Sequence, residues 1–133
     1  MTDTAQTSLV LEDDETSRFV LRTILEHAGF KVLVSSQTAE AVEMCRLQPG
    51  SISIMVSDVV LRGSGGPDTV RQIQALQPDM AILFVSGYPL EDLENRGLLL
   101  PPLFAKNRSY LQKPFTAQSL LTAIRQLIGQ PHV

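Results

Sequence analysis

Four apolar runs in the chain end in polar groups able to do chemistry. Glu12 and Asp13 follow Leu9-Val10-Leu11, and Asp58 follows the run from Ile52 to Ser57. Ser86 follows Ala81 to Val85, and Lys113-Pro114 follows Tyr110-Leu111-Gln112. If these runs are parallel strands, their C-terminal ends gather on one edge of the sheet, where open α/β sheets place their sites. Carboxylates, a hydroxyl and an ammonium then share one cleft. Glu12, Asp13 and Asp58 repel one another unless a cation lies among them. A hard dication such as Mg²⁺ takes oxygen ligands octahedrally and keeps several waters. The hydroxyl and ammonium suit the oxygens of a phosphoryl group.

The elements that must position these groups alternate along the chain. Leu9–Leu11 reads as a short buried strand. A helix is predicted from about Glu15 to Ala28, with Val20, Leu21, Ile24, Leu25 and Ala28 on one face, Asp14 as N-cap and Gly29 as its stop. Lys31–Ser35 is a second strand, and Thr38 to Leu47 a second helix ended by Pro49-Gly50. Ile52–Val56 is apolar enough for a central strand. Pro67 suits the first turn of a helix that turns Val70, Ile73 and Leu76 inward, and Gln77-Pro78-Asp79 breaks it. Ala81–Val85 is the fourth strand and Tyr110–Gln112 the fifth. The last helix starts near Thr116 with Leu120, Leu121, Ile124, Leu127 and Ile128 on its apolar face. Strands alternating with helices imply βα units, a parallel sheet and right-handed crossovers.

The 133 residues fit one domain, able to bury roughly two-thirds of its unfolded surface. We expect residues 1–7 to be a disordered lead-in, 8–129 the domain, and 130–133 a tail. A hydrophobic content of 44% with 19% charged residues is ordinary for a globular protein. The net charge of −3 gives no pull toward nucleic acid or an anionic membrane. No uncharged apolar run approaches the ~20 residues that span a bilayer. The polar, acidic N-terminus lacks the features of a signal peptide, and Cys45, the only cysteine, excludes an internal disulfide. A cytoplasmic location is the expectation. Gly63–Gly66 is not a P-loop, since no Gly-Lys-Ser/Thr follows. His27 and His132 lie outside the motifs, so neither is read as a phosphodonor.

The motifs in order are Leu-Val-Leu-Glu-Asp-Asp-Glu (9–15), Val-Ser-Asp-Val-Val-Leu (56–61), Phe-Val-Ser-Gly-Tyr (84–88) and Tyr-Leu-Gln-Lys-Pro-Phe (110–115). Together they resemble the receiver domain of two-component signalling, over about Ser8 to Ile128. Gly65-Gly66-Pro67 after Asp58-Val-Val-Leu, and Ser86-Gly87-Tyr88 with Lys113-Pro114-Phe115-Thr116, look more like receivers of hybrid sensor kinases than those of transcription factors.

The resemblance implies a flavodoxin-like (βα)5 doubly wound fold, with a five-stranded parallel sheet ordered 2-1-3-4-5. It implies a signalling domain rather than an enzyme: Asp58 would accept a phosphoryl group from a histidine kinase or histidine phosphotransfer protein as an acyl phosphate. Asp13 and Asp58 would ligate Mg²⁺ directly, Glu12 through water, with the backbone carbonyl of Val60 added. Lys113 would hold the phosphoryl group before a cis Pro114. Ser86 would move toward it, and Tyr110 would swing as the hydroxyl moves; a half-buried strand aromatic is the plainer reading of Tyr110. Asp14 and Glu15 read instead as a solvated acidic helix start. Val60 and Tyr88 occupy positions that tune phosphoryl loss by controlling water, and an apolar Val and a bulky Tyr should lengthen its lifetime.

The segment 97–109 is longer than the family usually has and carries Leu98–Leu100, Pro101-Pro102 and Leu103-Phe104. Either these leucines pack on the sheet edge or they expose an apolar patch, giving the 90–128 face a homodimer or effector contact. The chain then reads as a stand-alone receiver or one cut from a longer kinase. A phosphate sink and an unphosphorylated interaction module are the alternatives, the second opposed by the intact acidic and basic set. A phosphatase would lack an acid/base carboxylate where Val60 stands.

Overall fold

A computed structural model describes residues 6–48, 50–59, 67–97 and 107–129, the side chains of 67–69 excepted. The elements are β1 (Thr7–Leu11), α1 (Glu15–His27), β2 (Lys31–Ser35), α2 (Thr38–Leu47), β3 (Ile52–Asp58), α3 (Pro67–Leu76), β4 (Ala81–Ser86), α4 (Leu90–Asn95), β5 (Arg108–Gln112) and α5 (Ala117–Ile128). The strands pair in parallel in the order β2-β1-β3-β4-β5, as expected.

Strand alternation divides the core in two. Leu9, Leu11, Met55, Ile82 and Phe84 point to one face and pack with Ala41, Cys45, Ile73 and Leu93 from α2, α3 and α4. Val10, Ile54, Val56, Leu83 and Val85 point to the other and meet Leu21 and Leu25 of α1 and Leu120 and Ile124 of α5. Each fully buried leucine contributes about 1.5–3 kcal/mol by leaving water. β3 and β4 are buried almost end to end, which suits strands covered on both faces.

The helix ends follow their residues. Asp14 accepts the Ser17 N–H at 2.8 Å as N-cap of α1. At its other end Gly29 takes φ +96°, a left-handed conformation that glycine adopts without strain. The Gly29 and Phe30 N–H groups then donate to Glu26 and Leu25, and Phe30 is buried beside Leu25. Thr116 and Ser119 cap α5 reciprocally, each side chain bonding the other's N–H at 3.0 Å.

Several expectations need correction. Val20 is 44% exposed, because the inward stripe of α1 runs through Leu21 and Leu25 with Ile24 and Ala28 beside it. On α5, Ala123 joins Leu127 and Ile128 against the core, an addition to the expected face; Leu121, Leu127 and Ile128 are all half-buried. β1 begins at Thr7, inside the expected lead-in, because Thr7 pairs with Lys31 and Ile52. β5 begins at Arg108, where pairing with Ile82 extends it past its apolar part. Most of 97–109, residues 60–66, His132 and the tail lie outside the described residues.

Candidate functional site

The parallel register brings the strand ends level. Leu11 pairs with Ser35 on one side and Ser57 on the other, so Glu12 lies beside the end of β3 where Asp58 stands. Carboxylate oxygens of Glu12, Asp13 and Asp58 all lie within 4.8 Å of one another. Asp58 pairs with Val85, and Ser86 with Gln112, which places Ser86 and Lys113 on the same edge. The Lys113 N–H donates to the Ser86 carbonyl at 2.7 Å, and the Lys113–Pro114 bond is cis. The Lys113 side chain turns back into the cleft and donates to Glu12 Oε1 at 2.7 Å and Asp58 Oδ2 at 3.1 Å.

Glu12 is 1% exposed, and its second oxygen accepts the Asp14 N–H at 3.2 Å. Burial raises its pKa above the ordinary carboxylate value; Lys113 and the Asp14 N–H offset part of that, and the Asp58 charge adds to it. Burial also pulls Lys113 down, but its hydrogen bonds to Glu12 and Asp58 outweigh it, so the ammonium is held above its ordinary value. Lys113 is thus a counter-ion shared by two of three clustered acids. Three carboxylates on a partly open cleft also fit a hard divalent cation that keeps some of its waters.

The hydroxyl and the two aromatics meet at one loop. Ser86 is buried, and its Oγ accepts the Tyr88 N–H at 3.1 Å. Tyr110 pairs with Phe84 and packs half-buried against the core. Burial raises the pKa of its phenol, whose hydroxyl donates to the Tyr88 carbonyl. The Tyr88 ring is exposed and carries the Arg96 guanidinium 4.8 Å from its centroid. Of the expected site residues, Glu12, Asp13, Asp58 and Lys113 converge directly, while Ser86 sits on the same edge and Tyr88 and Tyr110 are joined to its loop. Val60 lies outside the described residues. Arg18 carried no motif signal, yet its Nη1 donates to the Glu12 carbonyl at 2.9 Å. Its position four residues after the N-cap, where a helical side chain reaches back toward the preceding turn, was the available clue.

Over residues 9–125 the chain matches the response regulator receiver domain. The chain belongs to this family. A receiver domain is a signalling phosphoacceptor of two-component systems, rather than a classical enzyme, and takes its phosphoryl group from histidine kinase or phosphotransfer partners. The chain is 32% identical over 122 residues to the sensor kinase CckA of Brucella abortus, covering 92% of this receiver and 12% of that protein. It is 30% identical over 120 residues to the response regulator receiver protein CpdR of the same organism, covering 90% of this chain and 94% of that one. Its fold is that of a response regulator from Burkholderia pseudomallei solved with a phosphorylated aspartic acid, calcium ion and citrate, with TM-score 0.73, 25% identity, and 89% and 65% of the two chains covered. It is also that of the receiver domain of sensor histidine kinase PA1611 from Pseudomonas aeruginosa PAO1, solved with magnesium coordinated in its active site cleft, with TM-score 0.78, 23% identity, and 96% and 100% covered. No described helix of this receiver is long and apolar enough to cross a membrane.

Proposed function

We propose that Asp58 carries the phosphoryl group and that Glu12, Asp13 and Asp58, with the Val60 carbonyl, hold Mg²⁺. The observation that supports this reading is the convergence of the three carboxylates within 4.8 Å, with Lys113 bridging two of them. An Asp58 oxygen attacks the phosphorus of a phosphohistidine; the O–P bond forms as the P–N bond breaks, and the imidazole leaves with the electron pair. The cation supplies charge neutralisation at the phosphoryl oxygens. Lys113 exchanges a carboxylate for a phosphoryl oxygen within the same cleft. Ser86 gives up the Tyr88 N–H and donates its own proton to another. Tyr88 and Tyr110 then repack, because both are tied to that loop.

The donor histidine belongs to a folded protein that must cover the cleft. α1 leads out of the acidic loop and exposes Phe19 at 68% and Val20 at 44%, offering it apolar contact. The output is a change in the 90–128 face, read by an effector or a second copy. We place the domain in the cytoplasm, in a phosphorelay headed by a hybrid kinase, on the strength of Asp58-Val-Val-Leu, Gly65-Gly66-Pro67 and Lys113-Pro114-Phe115-Thr116.

Incubation with acetyl phosphate and MgCl₂, followed by intact-mass measurement, tests the reading. A gain of one phosphoryl group that vanishes in EDTA and in Asp58→Asn is expected. A gain that persists in Asp58→Asn overturns Asp58 as the acceptor.

A further inference from the structure

We propose that Arg18 is a positioning residue for the divalent cation, acting through the backbone of the acidic loop. The inference rests on the metal reading above and concerns a side chain outside the ligand set.

The loop between β1 and α1 is three residues long, 12–14, and two of them are candidate ligands. Its backbone is pinned at Glu12 and at Asp14. The Glu12 N–H donates to the Ser35 carbonyl at 3.1 Å, and the Asp14 N–H donates to the Glu12 carboxylate at 3.2 Å. The Asp14 carbonyl accepts the Arg18 N–H at 2.9 Å as the first helical bond. Among the described residues the Glu12 carbonyl takes no backbone partner of that kind; the half-buried Arg18 reaches back and donates Nη1 to it at 2.9 Å.

That carbonyl belongs to the planar peptide that leads into Asp13. Turning that plane through the Glu12 ψ angle, with no compensating change at Asp13, displaces Asp13 and its carboxylate. Arg18 therefore fixes the plane on which Asp13 faces Glu12 and Asp58. Outer groups that orient metal ligands in this way are worth about 10–100-fold in affinity. The charge of Arg18 works in the opposite sense, since a cation near the cluster repels another cation. The two roles thus predict opposite outcomes when Arg18 is truncated.

Mn²⁺, a hard oxygen-seeking probe, is titrated into the apo protein and the free ion is read by electron paramagnetic resonance, with melting temperatures taken alongside. The expected result is that Arg18→Ala binds Mn²⁺ about tenfold more weakly, while Arg18→Lys, which retains a donor, stays close to the native affinity. Unchanged or tighter binding by Arg18→Ala overturns the proposal, whatever its melting temperature does, and so does an Arg18→Lys as weak as Arg18→Ala. If Arg18→Ala fails to fold, Arg18→Lys and Arg18→Gln take its place, both expected to hold the ion more tightly than Arg18→Met; equal affinities in the three overturn it. A native protein that binds no Mn²⁺ sinks the metal reading itself, a result distinct from native binding that Arg18 does not influence.

Discussion

Replacing Lys113 with Ala should destabilise the metal-free protein and spare the metal-loaded one. Lys113 donates to the 1%-exposed Glu12 at 2.7 Å and to Asp58 at 3.1 Å. Removing one partner of a fully buried ion pair costs about 3–5 kcal/mol, because the other charge stays behind. Here Lys113 is 26% exposed and Asp58 12%, so solvent screens part of the loss, while Glu12 keeps the Asp14 N–H. A cost of about 2 kcal/mol follows, roughly 5–10 °C in melting temperature for a domain of this size. Urea denaturation at neutral pH in EDTA reads it directly. In MgCl₂ the gap should shrink, since the cation compensates the same carboxylates. The gap should also close in acid. Glu12 has a pKa above its ordinary value when folded, so the native state binds its proton more tightly than the unfolded state and gains stability as pH falls through that value. Loss of Lys113 raises the value further, so the variant gains more. Equal stability of the two proteins in EDTA, or an equal loss in EDTA and Mg²⁺, would refute this account of the cleft.

Three further outcomes are expected. Phe19→Ala should slow phosphotransfer from a phosphohistidine donor about tenfold at subsaturating donor and leave acetyl phosphate labelling unchanged; equal slowing with both donors contradicts a docking role. Burial pushes the Cys45 thiol up to about 11, leaving about one thiolate in a thousand at pH 8, so alkylation by iodoacetamide should await unfolding, and rapid labelling of the folded protein contradicts that. The phosphorylated domain in Mg²⁺ should hydrolyse over minutes or longer, and Tyr88→Ala should shorten this several-fold as water gains access; native hydrolysis in seconds rules out a shielding role.

The site was legible because its logic is topological. A charged residue that ends an apolar strand in a parallel sheet has one edge to occupy, so Glu12, Asp13, Asp58 and Lys113 converge as their strand-end positions imply. What those side chains do to one another was less legible. Nothing in the spacing indicates that Lys113 bridges Glu12 and Asp58, or that the Ser86 hydroxyl accepts the Tyr88 N–H, because both are choices of rotamer made in the assembled cleft. β5 starts at Arg108 because β4 is there to pair with, and Arg-Ser carries no strand signal of its own. Val20 reads as part of an apolar stripe, yet the 3.6-residue period gives the inward line to Leu21 and Leu25 and leaves Phe19 and Val20 facing water.

The most direct measurement is the position of the phosphoryl group. Borohydride cleaves an acyl phosphate and leaves homoserine where the aspartate stood, so peptide mapping after acetyl phosphate, Mg²⁺ and borohydride reads the acceptor residue by residue. Homoserine at position 58 alone is the predicted result. The same product at position 13, or a labelled protein with none at 58, would contradict it.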